Sequence, residues 1–97
     1  MNYELIVKPR AEIDIWESVL YYNSKRRRLG DEFLLSLEAK FNEIIRNPYQ
    51  YTIFYKNIRR CFMARFPFGI YFIIEDNCAN VQAIVHTSRN PEILKNI

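Results

Sequence analysis

The 97-residue sequence is long enough for one modest hydrophobic core and too short for two, so we expect a single domain spanning residues 1–97. Hydrophobic residues make up 49% of the chain, against only two glycines and four prolines, which excludes a disordered polymer. The net charge of +3, from 14 basic and 11 acidic residues, is too small to indicate a nucleic-acid partner by itself.

The sequence shows no pattern that indicates a membrane span, a zinc site or a disulfide framework. No apolar run approaches the ~20 residues that span a bilayer, and MNYELIVKPR lacks the apolar segment of a signal peptide. One histidine and two cysteines, without a C-x-x-C motif, are too few ligands for structural zinc. We therefore expect a cytoplasmic protein without cofactor or membrane contact, in which Cys61 is a small buried strand residue.

The chain begins with a strand followed by a helix. YELIVK (3–8) is rich in β-branched and aromatic residues, which predicts a strand that Pro9 ends. From Arg10 the apolar residues repeat at helical spacing, and they form a stripe made of Ile13, Trp16 and Leu20 and widened by Ile15, Val19 and Tyr22. Acidic residues near the start of this helix and the basic block 25–28 near its end follow the charge order that the helix dipole favours.

A second helix follows after a short break. Leu29-Gly30-Asp31 predicts a tight turn, with Gly30 ending the first helix and Asp31 capping the next. The second helix then repeats apolar residues at Phe33, Leu37, Phe41 and Ile44 and stops at Asn47-Pro48. Two amphipathic helices joined by so short a loop form an antiparallel hairpin.

The second half of the chain has the composition of strands. YTIFYKN (51–57) predicts a short irregular strand, and three better strands follow at RRCFMAR (59–65), FGIYFIIED (68–76) and NVQAIVHTS (80–88). Asp76-Asn77-Cys78 predicts a hairpin turn, Pro67 a bulge or tight turn, and PEILKN (91–96) a last helical turn. The resulting order β-α-α-β-β-β predicts an α+β fold, with a helical hairpin packed on one face of a mostly antiparallel sheet. The other face is expected to be partly open and to carry the function.

Basic residues form two candidate sites. The block Lys25-Arg26-Arg27-Arg28 suits either phosphate or acidic-partner contacts, or a solvated helix end. In the strand at 59–65 we expect Phe62 to face the core and Arg60 to lie on the same side at the rim, with Arg59 and Arg65 on the exposed face. Two outward arginines suit bidentate phosphate binding, or they discourage pairing at a sheet edge, and both interpretations remain open.

The segment VHTSRNP (85–91) contains the only histidine, His86, and Arg89 three residues later. An imidazole and a guanidinium at this distance suit acid–base chemistry and charge stabilisation at a phosphate. They equally suit a strand end, with His86 bound to the backbone and Arg89 in a salt bridge. No Ser-His-Asp or Cys-His arrangement and no glycine-rich phosphate loop accompanies them.

Taken together, these segments resemble the RelE/ParE superfamily of toxins from bacterial toxin–antitoxin pairs, over nearly the whole chain. The resemblance is carried by their order and spacing: KPRAEIDI, YYN (21–23), LGDEFLLSLE (29–38), IIRNPYQY (44–51), RRCFMARFPFGIYFII (59–74) and HTSRNP (86–91). It is closest to ParE-like plasmid stabilisation toxins. It implies the toxin of a type II toxin–antitoxin module, which halts growth unless a cognate antitoxin neutralises it.

Two targets follow from the resemblance. ParE-like members inhibit DNA gyrase without a known hydrolytic role, and this is the function we favour. RelE-like members cut mRNA on the ribosome without a metal, using a base, an acid and cations around the phosphate. A third possibility is a degenerate member that keeps only its antitoxin-binding surface.

The RelE nuclease residues carry over only in part. Arg60 and Arg89 match basic positions, whereas Phe62 and Gly69 stand where RelE has a lysine and an arginine, and its C-terminal tyrosine has no counterpart. If the chain is a nuclease, the resemblance implies His86, Arg89 and Arg60 as catalytic residues. Arg59, Arg65 and Arg89 are the expected contacts to a target or phosphate, and we expect the antitoxin to dock along the groove between helical hairpin and sheet.

Overall fold

The fold is described here for residues 2–89, in a computed structural model of the chain. Two helices, a 3-10 turn and five strands follow one another as β1 (Glu4–Val7), α1 (Pro9–Lys25), α2 (Leu29–Arg46), the 3-10 turn (Pro48–Gln50), β2 (Ile53–Tyr55), β3 (Ile58–Phe62), β4 (Phe68–Glu75) and β5 (Cys78–His86). This order confirms the predicted strand, two helices and following strands, although four strands rather than the three of the order β-α-α-β-β-β follow the helices, because the short segment at 53–55 is also a strand. The predicted helical turn at 91–96 lies outside the described residues.

The five strands form one sheet in the order β1-β5-β4-β3-β2. Neighbouring strands are antiparallel except β1, which runs parallel to β5 from the pair Glu4 and Cys78 to the pair Val7 and Val81. The predicted mostly antiparallel sheet is therefore confirmed. Because β1 ends at Val7, no strand from residues 2–89 lies beside the second half of β5 on that side.

The turn of the helical hairpin lies three residues earlier in the chain than the sequence suggests. The turn lies at residues 26–28, where Arg28 has a left-handed φ of 65°, and α2 already begins at Leu29. Gly30 is thus inside the second helix, and the prediction that it ends the first helix is wrong. Its role is steric, because a Cβ atom there would lie 2.4 Å from the Val19 carbonyl oxygen.

The main core lies between the hairpin and the sheet. Helix α1 contributes Ala11, Ile15 and Val19, at the i, i+4 spacing of one narrow row. The predicted helix is confirmed, but Ile13, Trp16 and Leu20 of its apolar stripe are 59%, 57% and 70% exposed, so only part of the stripe meets the core. A helix resting on a sheet buries one side only, and these residues occupy the opposite side of α1. Helix α2 buries the predicted row Phe33, Leu37, Phe41 and Ile44.

Strand β3 has the opposite orientation to that predicted. Cys61 and Met63 are buried in the main core, while Phe62 is 52% exposed on the other face of the sheet. The first five residues of β4, the strand next to β3, are all buried, so both faces of the sheet are apolar at this point. An apolar residue such as Phe62 therefore does not indicate which face of β3 meets the helices. The prediction of Cys61 as a buried strand residue is confirmed, and so is the tight turn at Pro67, where the Phe68 N–H donates to the Phe66 carbonyl at 2.8 Å.

The sheet face opposite the helices carries a second, smaller apolar cluster. It consists of the buried residues Ile58, Tyr71, Ala83 and Val85, against which Phe54 and Ile73 pack. Gly69 allows the Tyr71 ring to lie over it on this face, since a Cβ at residue 69 would approach that ring to 3.0 Å. The exposed Phe62 marks the part of this face that remains open to solvent.

Candidate functional site

A groove of about 330 Å³ lies between α1 and the ends of β4 and β5. It exists because β1 is four residues long and β5 is nine, so α1 rather than a strand borders the end of β5. The groove carries groups of both charges, together with aromatic rings and hydroxyls, and is lined by Asp14, Glu17, Ser18, Tyr21, Tyr22, Phe68, Ile84, His86, Ser88 and Arg89.

Asp14 of α1 binds the backbone of β5 at the part of its edge that β1 does not reach. Its Oδ2 atom accepts a hydrogen bond of 3.0 Å from the backbone N–H of Ile84, a residue that pairs with β4 on one side and lies beyond the end of β1 on the other. Burial raises the pKa of Asp14, opposed by this hydrogen bond and by the charges of Arg10 and Arg89. The carboxyl group therefore holds the helix to the strand and is also a titratable group of the groove.

His86 lies at the end of β5 with its ring at right angles to that of Phe68, at a centroid distance of 5.1 Å and an interplanar angle of 84°. The backbone N–H of Ser88 donates to His86 Nδ1 at 3.1 Å, and the Ser88 hydroxyl lies 2.8 Å from the same nitrogen. A backbone N–H only donates, so Nδ1 acts as an acceptor and the hydrogen of the neutral ring resides on Nε2. His86 thus presents a donor rather than a basic nitrogen at its free end.

Arg89 reaches the same groove through a turn, in which its backbone N–H donates to the His86 carbonyl at 2.9 Å. Within residues 2–89 its guanidinium forms no ion pair, although its charge acts on Asp14. The structure therefore brings together two of the three residues that the nuclease interpretation requires. Their role stays a prediction.

The third residue, Arg60, lies on the opposite face of the sheet. It pairs with Tyr71 of the second cluster, whereas His86 pairs with Phe68 of the main core. Its guanidinium carbon is 4.9 Å from the ring centroid of Phe54 and 4.7 Å from that of Phe62. Arg60 is thus separated from the groove by the thickness of the sheet.

Arg59 and Arg65 do not share an exposed sheet face, so the predicted pair of outward arginines is wrong. Arg59 donates to the Tyr51 carbonyl at 2.7 Å and lies 5.1 Å from the ring centroid of Tyr49, beside the 3-10 turn. Arg65 forms a hydrogen-bonded ion pair with Glu32 of α2, which lowers the pKa of Glu32 together with the charge of Arg26. Arg59 lies on the same face of β3 as the buried Cys61, whereas Arg65 follows the end of β3 and reaches Glu32 of α2.

Sequence reasoning missed two features of this region. One is Asp14, whose strand partner is 70 residues away and gives no local signal. The other is a row of exposed apolar residues on the outer side of α1, Ile13, Trp16 and Leu20, which we call the α1 patch. Tyr21, which is 56% exposed, belongs to the groove lining and follows Leu20 of the α1 patch in the chain.

Neither a metal cluster nor a membrane span is found in the described part of the chain. Residues 2–89 contain no group of three or more His, Cys, Asp or Glu side chains placed to hold a metal ion. None of the helices in the same range combines the length and apolar character needed to cross a bilayer. Cys61 and Cys78 are both free thiols.

Comparison with known proteins identifies the fold. No protein-family profile and no curated protein sequence matches the chain. Among solved structures, a chain of the chromosomal ParDE toxin–antitoxin system of P. aeruginosa matches with a TM-score of 0.77 at 12% identity, covering 87% of this chain and 95% of that one. A chain of the toxin–antitoxin complex RelBE2 of Mycobacterium tuberculosis matches with a TM-score of 0.62 at 13% identity, covering 89% and 99%.

The chain thus has the α+β fold of these two solved chains, with two helices packed on a mostly antiparallel five-stranded sheet. This is the fold that the resemblance of its sequence to the RelE/ParE superfamily implies.

Proposed function

We propose that this chain is the toxin of a type II toxin–antitoxin module and is neutralised by a cognate antitoxin in the cytoplasm. The observation that carries the proposal is the α1 patch, which leaves Ile13, Trp16 and Leu20 more than half exposed on one side of a helix. Contiguous apolar surface of this kind marks a protein interaction site on a small soluble domain. The likeness in fold to chains from the ParDE and RelBE2 systems supports an antitoxin as the partner.

The groove beside the α1 patch supplies polar anchors for the same partner. Helix α1 carries both the patch and part of the lining of a groove that contains the carboxylates Asp14 and Glu17 and the guanidinium of Arg89. An apolar ridge beside charges of both signs suits an amphipathic segment, whose apolar residues cover the ridge and whose polar residues fix its register. The antitoxin is accordingly placed on the α1 side of the hairpin, at the groove between helix and sheet.

The antitoxin surface is tested with charged substitutions. Trp16→Lys and Leu20→Lys should abolish rescue of growth when the toxin is co-expressed with the product of its neighbouring reading frame. Leu35→Lys is the matched control, because Leu35 is an exposed apolar residue of α2, 67% exposed, outside the α1 patch. If growth is still rescued with each of the two α1 substitutions, the antitoxin does not bind this surface.

For the target of the free toxin we favour inhibition of DNA gyrase without hydrolysis. RNA cleavage without a metal requires an acid, a base and cations around one phosphate. Here Arg60 lies on the other face from His86 and Arg89, Arg65 is paired with Glu32, and His86 Nδ1 is occupied by Ser88. This separation favours a binding protein over a ribonuclease.

Two assays on the same preparation decide between the targets. The purified protein is added to a gyrase supercoiling reaction and to a translating extract in which mRNA ends are mapped by primer extension. Blocked supercoiling with intact mRNA is the expected result. Cleaved mRNA that disappears with His86→Ala or Arg89→Ala would establish the nuclease instead, and no effect in either assay would indicate a degenerate toxin.

A further inference from the structure

We propose that Arg60 forms a binding site for the carboxylate of an acidic peptide segment, on the sheet face opposite the helices. The guanidinium lies between two aromatic rings, with its central carbon 4.9 Å from the Phe54 centroid and 4.7 Å from the Phe62 centroid. Guanidinium groups are attracted to aromatic faces at such distances by the ring quadrupole. The two rings therefore hold the side chain in place before any ligand arrives.

Arg60 has no acidic partner within the described residues. The ion pairs of residues 2–89 use Arg26, Arg28, Lys40 and Arg65, and the side chain of Arg60 forms no hydrogen bond there. The five N–H groups of a guanidinium are all donors. Because those of Arg60 bind no acceptor within the described residues, Arg60 is a positioned cation with donors left for a ligand.

The surroundings favour a peptide carboxylate over a nucleic-acid phosphate. Nucleic-acid affinity comes from several cations along a phosphate backbone. The neighbours of Arg60 on its strand and face are Ile58 and Phe62, while Arg59 and Arg65 are bound on the helical side. A single guanidinium can bind one carboxylate through two hydrogen bonds, and the exposed Phe62 ring beside it can contact apolar side chains. The site therefore suits a peptide in which an acidic residue is flanked by apolar residues.

This site is independent of the proposed antitoxin surface. The α1 patch faces outward from the helical layer, and Arg60 lies beyond the sheet on the other side. A ligand at Arg60 therefore leaves the α1 patch free, so the two proposals can fail separately. Substitution of Arg60 is expected to leave antitoxin rescue unchanged.

The test follows the Nε–Hε signal of Arg60 in NMR spectra of the ¹⁵N-labelled full chain, assigned by its loss in Arg60→Lys. The probes are the capped pentapeptide Ala-Leu-Glu-Leu-Ala, its Gln-containing counterpart and a pentauridylate. The acidic peptide should shift the signal saturably, and the Gln peptide should bind about tenfold more weakly, because a charge-assisted hydrogen bond is lost.

Three outcomes would overturn the proposal. Equal shifts by both peptides would reduce the site to an apolar contact at Phe62, and tighter binding of pentauridylate would make it a phosphate site. No shift with any probe would leave Arg60 as a structural residue. In Arg60→Lys, which keeps the charge without the planar fork, shifts of the Phe62 ring by the acidic peptide should weaken about tenfold as well.

Discussion

Replacement of Gly30 by alanine tests the close approach of the two helices. A Cβ atom at residue 30 would lie 2.4 Å from the Val19 carbonyl oxygen and 2.8 Å from two side-chain atoms of Asn23. The Asn23 side chain can rotate away, but the carbonyl belongs to the backbone of α1. The helices must then separate by about 1 Å to restore ordinary contact.

The expected change in the free energy of unfolding combines one stabilising and two destabilising contributions. Alanine gains about 1 kcal/mol over glycine in a helix. Overpacking against a backbone costs about 1–3 kcal/mol, and the hydrogen bond of 2.8 Å from the Gly30 N–H to Asn23 Oδ1 contributes about 1 kcal/mol more if the helices part. We expect Gly30→Ala to lower the free energy of unfolding by about 2 kcal/mol and Tm by about 10 °C.

The assay is urea denaturation followed by circular dichroism, with thermal unfolding as a second measurement. The pair Glu38→Gly and Glu38→Ala at an exposed site of α2 measures the intrinsic difference between glycine and alanine in this helix. A Gly30→Ala protein that is more stable than wild type by that same difference would refute the steric argument. The double substitution with Asn23→Ala should recover only part of the loss, because the clash with Val19 remains.

Further predictions concern the buried titratable groups. Because burial raises the pKa of Asp14, its contribution to stability is complete below the ordinary aspartate pKa and declines as pH rises through the higher folded value. Asp14→Asn should remove that decline in denaturation midpoints measured between about pH 3 and 6, whereas Asp14→Ala should also lose about 1–2 kcal/mol, since the Ile84 N–H is left unpaired. An unchanged pH profile in Asp14→Asn would assign the dependence to other groups. Cys61 is 2% exposed and burial raises the pKa of its thiol, so a thiol-specific reagent should modify Cys78 in the folded protein and Cys61 only after denaturation. Equal rates at both thiols, with Cys61→Ala and Cys78→Ala identifying each site, would contradict the buried position of Cys61.

The order of the elements could be predicted from local signals, and the orientation of two of them could not. Pro9, Asn47-Pro48 and Asp76-Asn77 mark boundaries in the sequence itself, and both residues of the last pair adopt the left-handed conformation of a hairpin turn. Helix α1, however, carries one apolar row with Ile15 and another with Trp16, on opposite sides. Periodicity finds both rows but does not say which one meets the sheet.

The candidate site was predicted in part for a similar reason. His86 and Arg89 are close in sequence, so their proximity in space followed directly from the chain. Asp14 joined them because β1 ends before β5 does, and this difference in strand length is a property of the whole sheet. Arg60 was assigned to the same site by resemblance, and the alternation of strand faces places it elsewhere.

The pairing of β1 with β5 has a consequence for synthesis of the chain. During synthesis, β1 is added more than seventy residues before residues 78–81, with which it pairs in the sheet of the described residues. The helical hairpin and the β4–β5 hairpin form from local contacts, but the β1 edge of this sheet forms only when β5 is present. A nascent chain interrupted before residue 78 therefore lacks the strand that borders the groove beside α1.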